Sequence, residues 1–478
     1  MIIFITVVCI LIVFLTTILI RASLFKPKKD VFTKIECETI DNKACISCLS
    51  QLIKCRTVSN SNPELEDDTE FFKFKNLLPE LYPNVYKECE LKEFDGRALL
   101  FCWKGKCNKE PTVLMAHYDV VDVNESAWEK PPFDAVIENG VMWGRGTLDT
   151  KTTFNAILYS ANQMISNGFI PENDIYLAFS GGEEVNGIGA VKIVDYFAQN
   201  NITPALVVDE GGAVVENVFP GVKKPCALIG IAEKGLINLE YKTTSQGGHA
   251  SAPAVKTPIG MLSKACCNVE SKPPKGKLTK PVLEMFNTLG RHSSFAFKIL
   301  FANLWCFKGI LDIYCKLSGG ELNALMRSTI AFTMMKGSSG RNVIPPEATM
   351  ISNIRLNPLD TVDSVKNHIE KVIDNDKIKV TVLEGNNPSP ISETDCKAYD
   401  IVKNAIANTW KDTIVSPYLM LQCSDSRHYG RISNHVYRFS AMELTAEERK
   451  TIHGNNERIR LENIVKATEF YIRLIKQC

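Results

Sequence analysis

Thr112-Val113-Leu114-Met115-Ala116-His117-Tyr118-Asp119 runs an unbroken apolar stretch straight into an imidazole and a carboxylate. A short apolar run without polar alternation suits a strand buried on both faces, the habit of parallel sheets. The same arrangement recurs twice downstream. Ile175-Tyr176-Leu177-Ala178-Phe179 leads through Ser180-Gly181-Gly182 into Glu183-Glu184, and Ala205-Leu206-Val207-Val208 ends in Asp209-Glu210. Between them, Thr152 to Asn167 carries apolar residues at helical spacing and stops at Gly168. A further helix is expected from about Gly189 to Phe197, ending near Asn200-Asn201. Strands alternating with helices predict an α/β fold: a mixed sheet with parallel strands and helices on both faces.

Further along the chain the character changes. Ile237-Asn238-Leu239-Glu240-Tyr241 alternates like a half-buried strand, and strands are expected around Ser328–Thr333 and Met350–Leu356. The sequence thus predicts a catalytic domain in two parts, 35–235 and 358–478, interrupted by a smaller α+β unit over 236–357. Inside that unit, Pro281 to Leu317 is rich in apolar residues, among them Phe286, Phe295, Phe297, Phe301, Trp305, Phe307 and Tyr314. Such a stretch forms either the core of the unit or an apolar surface for an acyl chain or a membrane. The chain closes with an amphipathic helix from about Arg460 to Ile475.

At the other end, Ile2 to Ile20 contains no charged residue. As a helix at ~1.5 Å per residue it spans roughly 28 Å, the hydrocarbon thickness of a bilayer. Residues 1–21 are therefore expected to be a transmembrane anchor or signal segment, with the uncleaved anchor favoured because a basic start and a small-residue cleavage site are missing. Arg21, Lys26, Lys28 and Lys29 follow the span, which on charge alone would leave the body in the cytosol. The sequons Asn124-Glu-Ser126 and Asn201-Ile-Thr203, together with 16 cysteines, favour a secretory or vacuolar-lysosomal lumen or the cell exterior. Cys102 and Cys107 flank a short turn and are placed to bridge a hairpin, whereas Cys45-x-x-Cys48 reads as one helix face. A formal net charge of +1 over 478 residues gives no reason to expect nucleic acid as a partner.

Chemistry enters with the strand ends. In open α/β sheets ligands bind beyond the carboxyl ends of the strands. His117, Asp119, Glu183, Glu184, Asp209 and Glu210 would all gather there, and carboxylates at that density repel unless cations neutralise them. The loop Trp143-Gly144-Arg145-Gly146-Thr147-Leu148-Asp149-Thr150-Lys151 adds Asp149 ahead of a helix, and His453-Gly454 offers a second imidazole before the last one. Two histidines with several carboxylates suit zinc, and two metals would share a bridging carboxylate.

Met115-Ala116-His117-Tyr118-Asp119-Val120-Val121, Gly144-Arg145-Gly146-Thr147-Leu148-Asp149-Thr150-Lys151, Gly182-Glu183-Glu184-Val185-Asn186-Gly187, Val208-Asp209-Glu210-Gly211-Gly212, Gly247-Gly248-His249-Ala250-Ser251 and Ile452-His453-Gly454 follow in order. In these six motifs, and over essentially everything after residue 40, the chain resembles the di-zinc aminoacylase and carboxypeptidase S family of metallopeptidases. The nearest branch is that of carboxypeptidase S and the N-fatty-acyl-amino-acid synthase/hydrolase. The resemblance implies a zinc exopeptidase-like sheet with a lid or dimerisation domain, and two Zn2+ per chain. It implies His117 and Asp209 on one zinc, Glu184 and His453 on the other, and Asp149 bridging both. Asp119 would orient His117 through its other ring nitrogen. Glu183 would be the general base. His249 would stabilise the oxyanion, in many relatives across a homodimer. Arg355 would hold the substrate carboxylate, with Asn342 also facing substrate. Cys423-Ser424 stands where a Gly-Thr or Asn-Thr pair is usual in the family.

The implied activity is hydrolysis of the amide of an N-acyl amino acid or short peptide next to a free carboxylate, with the substrate a small molecule or short peptide. The reverse condensation of fatty acid and amino acid, a non-catalytic membrane-tethered binding protein and a two-metal phosphoesterase are the competing readings. The binding protein would be signalled by a lost Glu183 or ligand, and all are present; the phosphoesterase wants basic groups around the metals, where these motifs are acidic.

Overall fold

The computed structural model describes residues 1–28 and 32–478; Lys29 of the basic cluster lies outside them. Its centre is an eight-stranded sheet in the order Glu90–Phe94, Ala98–Trp103, Asn173–Ser180, Cys107–His117, Leu206–Val215, Val436–Leu444, Cys226–Glu233 and Ile414–Met420. Cys107–His117 runs parallel to both of its neighbours, and Leu206–Val215 runs parallel to Val436–Leu444. The sheet is mixed, because Ala98–Trp103 joins Asn173–Ser180 antiparallel.

The apolar run at 113–116 divides between the two faces. Leu114 and Ala116 point into a core shared with Phe74, Phe154, Leu177 and Phe470, whereas Val113 and Met115 pack with Ile193, Val194 and Phe197 on the other side. Helix Lys151–Ser166 and the final helix Leu461–Ile475 cover the first face, and helix Gly189–Gln199 covers the second. Burying each of these large side chains contributes ~1.5–3 kcal/mol, so a strand with no polar face is stable only in such a three-layer setting.

A second, antiparallel sheet has the order Thr329–Lys336, Glu347–Leu356, Gly235–Thr244 and Lys379–Asn386, with helices Pro258–Ser271 and Val362–Ile373 against it. Its last strand lies beyond residue 357, the expected end of the smaller unit. The aromatic stretch does not fill this second core. It forms the helices Lys280–His292, Phe295–Phe301 and Leu304–Ser318, whose inner residues Phe286, Phe301 and Leu311 pack with Val215, Leu228 and Phe219 of the main body.

The leading segment is a helix, Ile2–Leu24, long and apolar enough to cross a membrane. Cys102 and Cys107 are free thiols rather than a bridge: Cys102 is buried, and Cys107 donates to Asn173 Oδ1 at 3.1 Å. Cys45 and Cys48 lie inside helix Asn42–Ile53 and are buried in the core.

Candidate metal centre

Three parallel strands end at the same edge of the sheet, and the residues that follow them converge there. His117 closes its strand, Glu183 and Glu184 occupy a turn of 3-10 helix after Asn173–Ser180, and Asp209-Glu210 lies in Leu206–Val215. Asp149 arrives just ahead of helix Lys151–Ser166. His453 comes from the loop beyond Val436–Leu444, held at φ 57°. Gly212 has to be glycine, since a Cβ there would stand 1.8 Å from the Leu228 carbonyl oxygen.

The two oxygens of Asp149 face different histidines. Oδ1 lies 2.9 Å from His117 Nε2, and Oδ2 lies 3.0 Å from His453 Nε2. Glu210 Oε1 completes one side at 3.2 Å from His117 Nε2, and Glu184 Oε2 the other at 3.0 Å from His453 Nε2. Donor atoms around a cation bonded at ~2.0–2.2 Å sit ~3–3.5 Å apart, so both groups have the spacing of a shared coordination sphere. His117, Asp149 and Glu184 form one cluster able to hold an ion, and His117, Glu183 and Glu210 another. Glu184 Oε1 is buried with no hydrogen-bond partner among the described residues, a position that a cation would satisfy.

Electrostatics fit the same donor set. Burial, reinforced by the charges of Glu210, Asp425 and Glu184, holds the Glu183 carboxyl well above the usual range. Burial likewise pushes Glu210 up to about 8. His453 is raised to about 10 by its hydrogen bonds to Asp149 and Glu184. Without cations the cluster therefore compensates its charge with protons, which metal ions would displace.

Asp119 is fully buried and braces the site. Its carboxylate accepts from the Glu183 and Glu184 amides at 3.1 Å each and from Ser59 Oγ at 2.7 Å. Its main-chain carbonyl, 3.0 Å from His117 Nδ1, makes the closer contact to the imidazole; the carboxylate is at 3.4 Å. A carbonyl can only accept, so Nδ1 carries the hydrogen and Nε2 is left free to ligate.

The structure brings Glu210, not Asp209, to His117. Neighbouring residues on a strand face opposite sides. Asp209 turns beneath the site, where its carboxylate accepts from the Ser426 amide at 3.0 Å. Arg355 reaches the rim, donating to Cys423 Sγ at 3.3 Å. His249 and Asn342 stand apart, on an exposed ribbon that pairs Gly248–His249 with Val343–Ile344; Asn342 accepts from the Ala250 amide at 2.9 Å. Neither lines the cavity over the acidic cluster, which measures about 630 Å³.

Two buried residues given no role by sequence reasoning lock the ligand loops together. Glu457 accepts from the amides of Leu148 at 2.6 Å and Asp149 at 3.2 Å and pairs with Arg145 at 2.6 Å. Arg145 in turn donates to the Gly454 carbonyl at 2.9 Å, tying the Asp149 loop to the His453 loop. The signal for Arg145 was its place in the glycine-rich loop, and for Glu457 its place four residues after His453.

Residues 113–477 match the model of peptidase family M20/M25/M40. The chain belongs to this family. It is an enzyme of the M20 metallopeptidase and amidohydrolase type. Among M20 relatives, a probable carboxypeptidase S-like 2 of Dictyostelium discoideum is 34% identical over 96% of this chain and 90% of its own length. The N-fatty-acyl-amino acid synthase/hydrolase PM20D1 of Xenopus tropicalis is 34% identical over 91% of this chain and 86% of its own. Among solved structures, an M20 family metallo-carboxypeptidase from Sulfolobus solfataricus superposes with a TM-score of 0.67, covering 92% of this chain and 99% of its own at 18% identity. That likeness is one of fold.

Proposed function

We propose that this M20 enzyme is a two-zinc amidohydrolase that cleaves N-acyl amino acids, or short peptides, next to a free carboxylate. The observation that carries it is the pair of contacts from the two Asp149 oxygens to His117 and His453. His117 and Glu210 would hold one cation, Glu184 and His453 the other, and Asp149 both. Bound there, such cations supply Lewis acidity that polarises a carbonyl and lowers the pKa of water.

Glu183 handles the proton. Glu183 lines the cavity, and its backbone is fixed by the hydrogen bond its amide donates to the Asp119 carboxylate, so it can take a proton from the attacking water and deliver it to the leaving amine. Arg355, half-buried at the rim, is suited to receive the free carboxylate as a bidentate partner. The exposed His249–Asn342 ribbon suits contributing His249 to the oxyanion of a second subunit's site in a homodimer.

Between the two substrate classes, the cavity favours the acyl one. Beyond the acids its wall carries Leu148, Val215, Leu228, Leu421 and Leu444, alongside the polar Gln422, Ser440, Arg449 and Lys450. An alkyl chain there would gain ~0.8 kcal/mol per buried methylene. The names of the relatives, carboxypeptidase S-like and N-fatty-acyl-amino acid synthase/hydrolase, fit the same reading. Condensation in reverse is open to any such catalyst when both products are abundant. The leading helix is proposed to anchor the enzyme, with its body in a secretory or vacuolar-lysosomal lumen or outside the cell.

The test is hydrolysis by the purified full chain of a long-chain N-acyl amino acid beside a blocked dipeptide. The acyl substrate should be preferred and the activity lost to chelator. Glu183→Gln should lower kcat by ~10²–10⁴ with metal content unchanged. Preference for the dipeptide would discard the acyl reading, and a fully active Glu183→Gln would discard the mechanism.

A further inference from the structure

The leading helix does not hang free of the body. Arg21 donates to the Ala302 carbonyl and to Asn303 Oδ1, and Asn303 Nδ2 returns a bond to the Ile18 carbonyl at 3.2 Å. Phe14 meets Trp305 edge-on, with ring centroids 5.9 Å apart. The helices Phe295–Phe301 and Leu304–Ser318 are thus fastened beside a segment built to lie in lipid.

The second of these helices is apolar on two sides. Leu311 and Cys315 are buried against the body. On the outside, Ile310, Ile313, Tyr314 and Leu317 fall at the i, i+3, i+4, i+7 spacing of a single face, with exposures of 63%, 62%, 60% and 82%. Trp305 is exposed at 55%, and Lys308 and Lys316 lie off the apolar stripe, on other sides of the helix. A helix washed by water on that side would carry polar residues there; an apolar stripe containing an aromatic, with lysines on other faces, is the pattern of an interfacial helix.

Depth agrees as well. Phe14 lies seven residues before Arg21, the first charge after the span, which at ~1.5 Å per residue puts Trp305 roughly 10 Å past the level of that charge. Interfacial helices bury their apolar face ~5–10 Å into the headgroup and acyl boundary.

We infer that the hairpin 295–318 is a second membrane-contact element, seating Trp305 and the Ile310–Leu317 face in the acyl boundary of the leaflet next to the leading helix. The inference rests on that helix spanning a bilayer, not on the amidohydrolase reading. It would place the enzyme's body against the lipid surface. A cavity of about 530 Å³ opens beside Trp305, lined by Leu278, Leu283, Leu304 and Met326 together with Lys277, Lys308 and Asp312. The short helix Gly320–Met326 lies between the two cavities, with Met326 facing this one and Glu321 lining the catalytic one.

The test uses the full chain in phosphatidylcholine vesicles, with and without bromine on the acyl chains, reading tryptophan fluorescence. Of the chain's five tryptophans, Trp103 and Trp410 are buried, and Trp305 is the one beside the leading helix. Brominated lipid should quench the wild type, and Trp305→Phe should lose most of that quenching. Should Trp305→Phe fail to fold, Tyr314→Trp takes its place and should gain quenching over the wild type. Flotation separates the two layers of the inference. A chain that does not float with vesicles overturns anchor and hairpin together. One that floats with equal quenching in wild type and variant overturns the hairpin alone. A chain that floats unquenched but cross-links to a second copy through this face would assign the surface to self-association instead.

Discussion

At the scale of single residues, the acid that completes the His117 side of the centre is decided by strand parity. Asp209 and Glu210 are adjacent, and one must face away. The apolar run before them is buried on both faces, so no polar alternation exists in the sequence to set the phase. Glu210 reaches His117 at 3.2 Å, while Asp209 is occupied by the Ser426 amide. Glu210→Ala should therefore lose zinc affinity far more than Asp209→Asn, in competition titrations against a chromophoric chelator. Equal losses would contradict the assignment. Asp119, by contrast, is assigned to His117 by the family resemblance carried in Met115-Ala116-His117-Tyr118-Asp119. What the sequence did not show is that its main-chain carbonyl makes the closer contact to the imidazole, because backbone geometry at a strand end is not written in residue identity.

At the scale of elements, the parallel strands were readable because a strand buried on both faces has to be apolar throughout. The helices between them were readable from their period. The stretch from Pro281 to Leu317 was not resolved, because apolar content alone does not say which helix face meets the body. Phe286 and Phe301 turn inward and Trp305 and Tyr314 outward. Two predictions belong here. Glu457 joins two loops from a buried position, and removing one partner of such a pair leaves the other uncompensated; Glu457→Ala should cost ~3–5 kcal/mol in urea unfolding. A loss within the scatter of surface substitutions would show that the loops hold without it.

The second concerns Lys234, at the junction between strands Cys226–Glu233 and Gly235–Thr244, where it donates to the Ala324 and Arg327 carbonyls. Burial, with the nearby Arg355 adding to it, lowers its ammonium from 10.5 to about 7. Between those values the unfolded chain binds the additional proton, so this group's contribution to stability rises with pH across that window and is least favourable below it. Thermal unfolding at pH 7 and pH 9.5 should show the wild type gaining on Lys234→Met as pH rises. Parallel shifts of the two proteins would refute it.

For the whole molecule, the sheet gathers the ends of three strands, the glycine-rich loop adds Asp149, and the Arg145–Glu457 pair brings in the His453 loop. The central claim is that Asp149 spans two cations held by these parts. The most direct measurement is zinc per chain in the full-length protein after equilibrium dialysis, for the wild type, His453→Ala and Asp149→Ala. The wild type should hold two zinc ions, His453→Ala should weaken one of them, and Asp149→Ala should weaken both. A wild type that saturates with a single ion, or an Asp149→Ala variant that still holds two with unchanged affinity, would contradict the account.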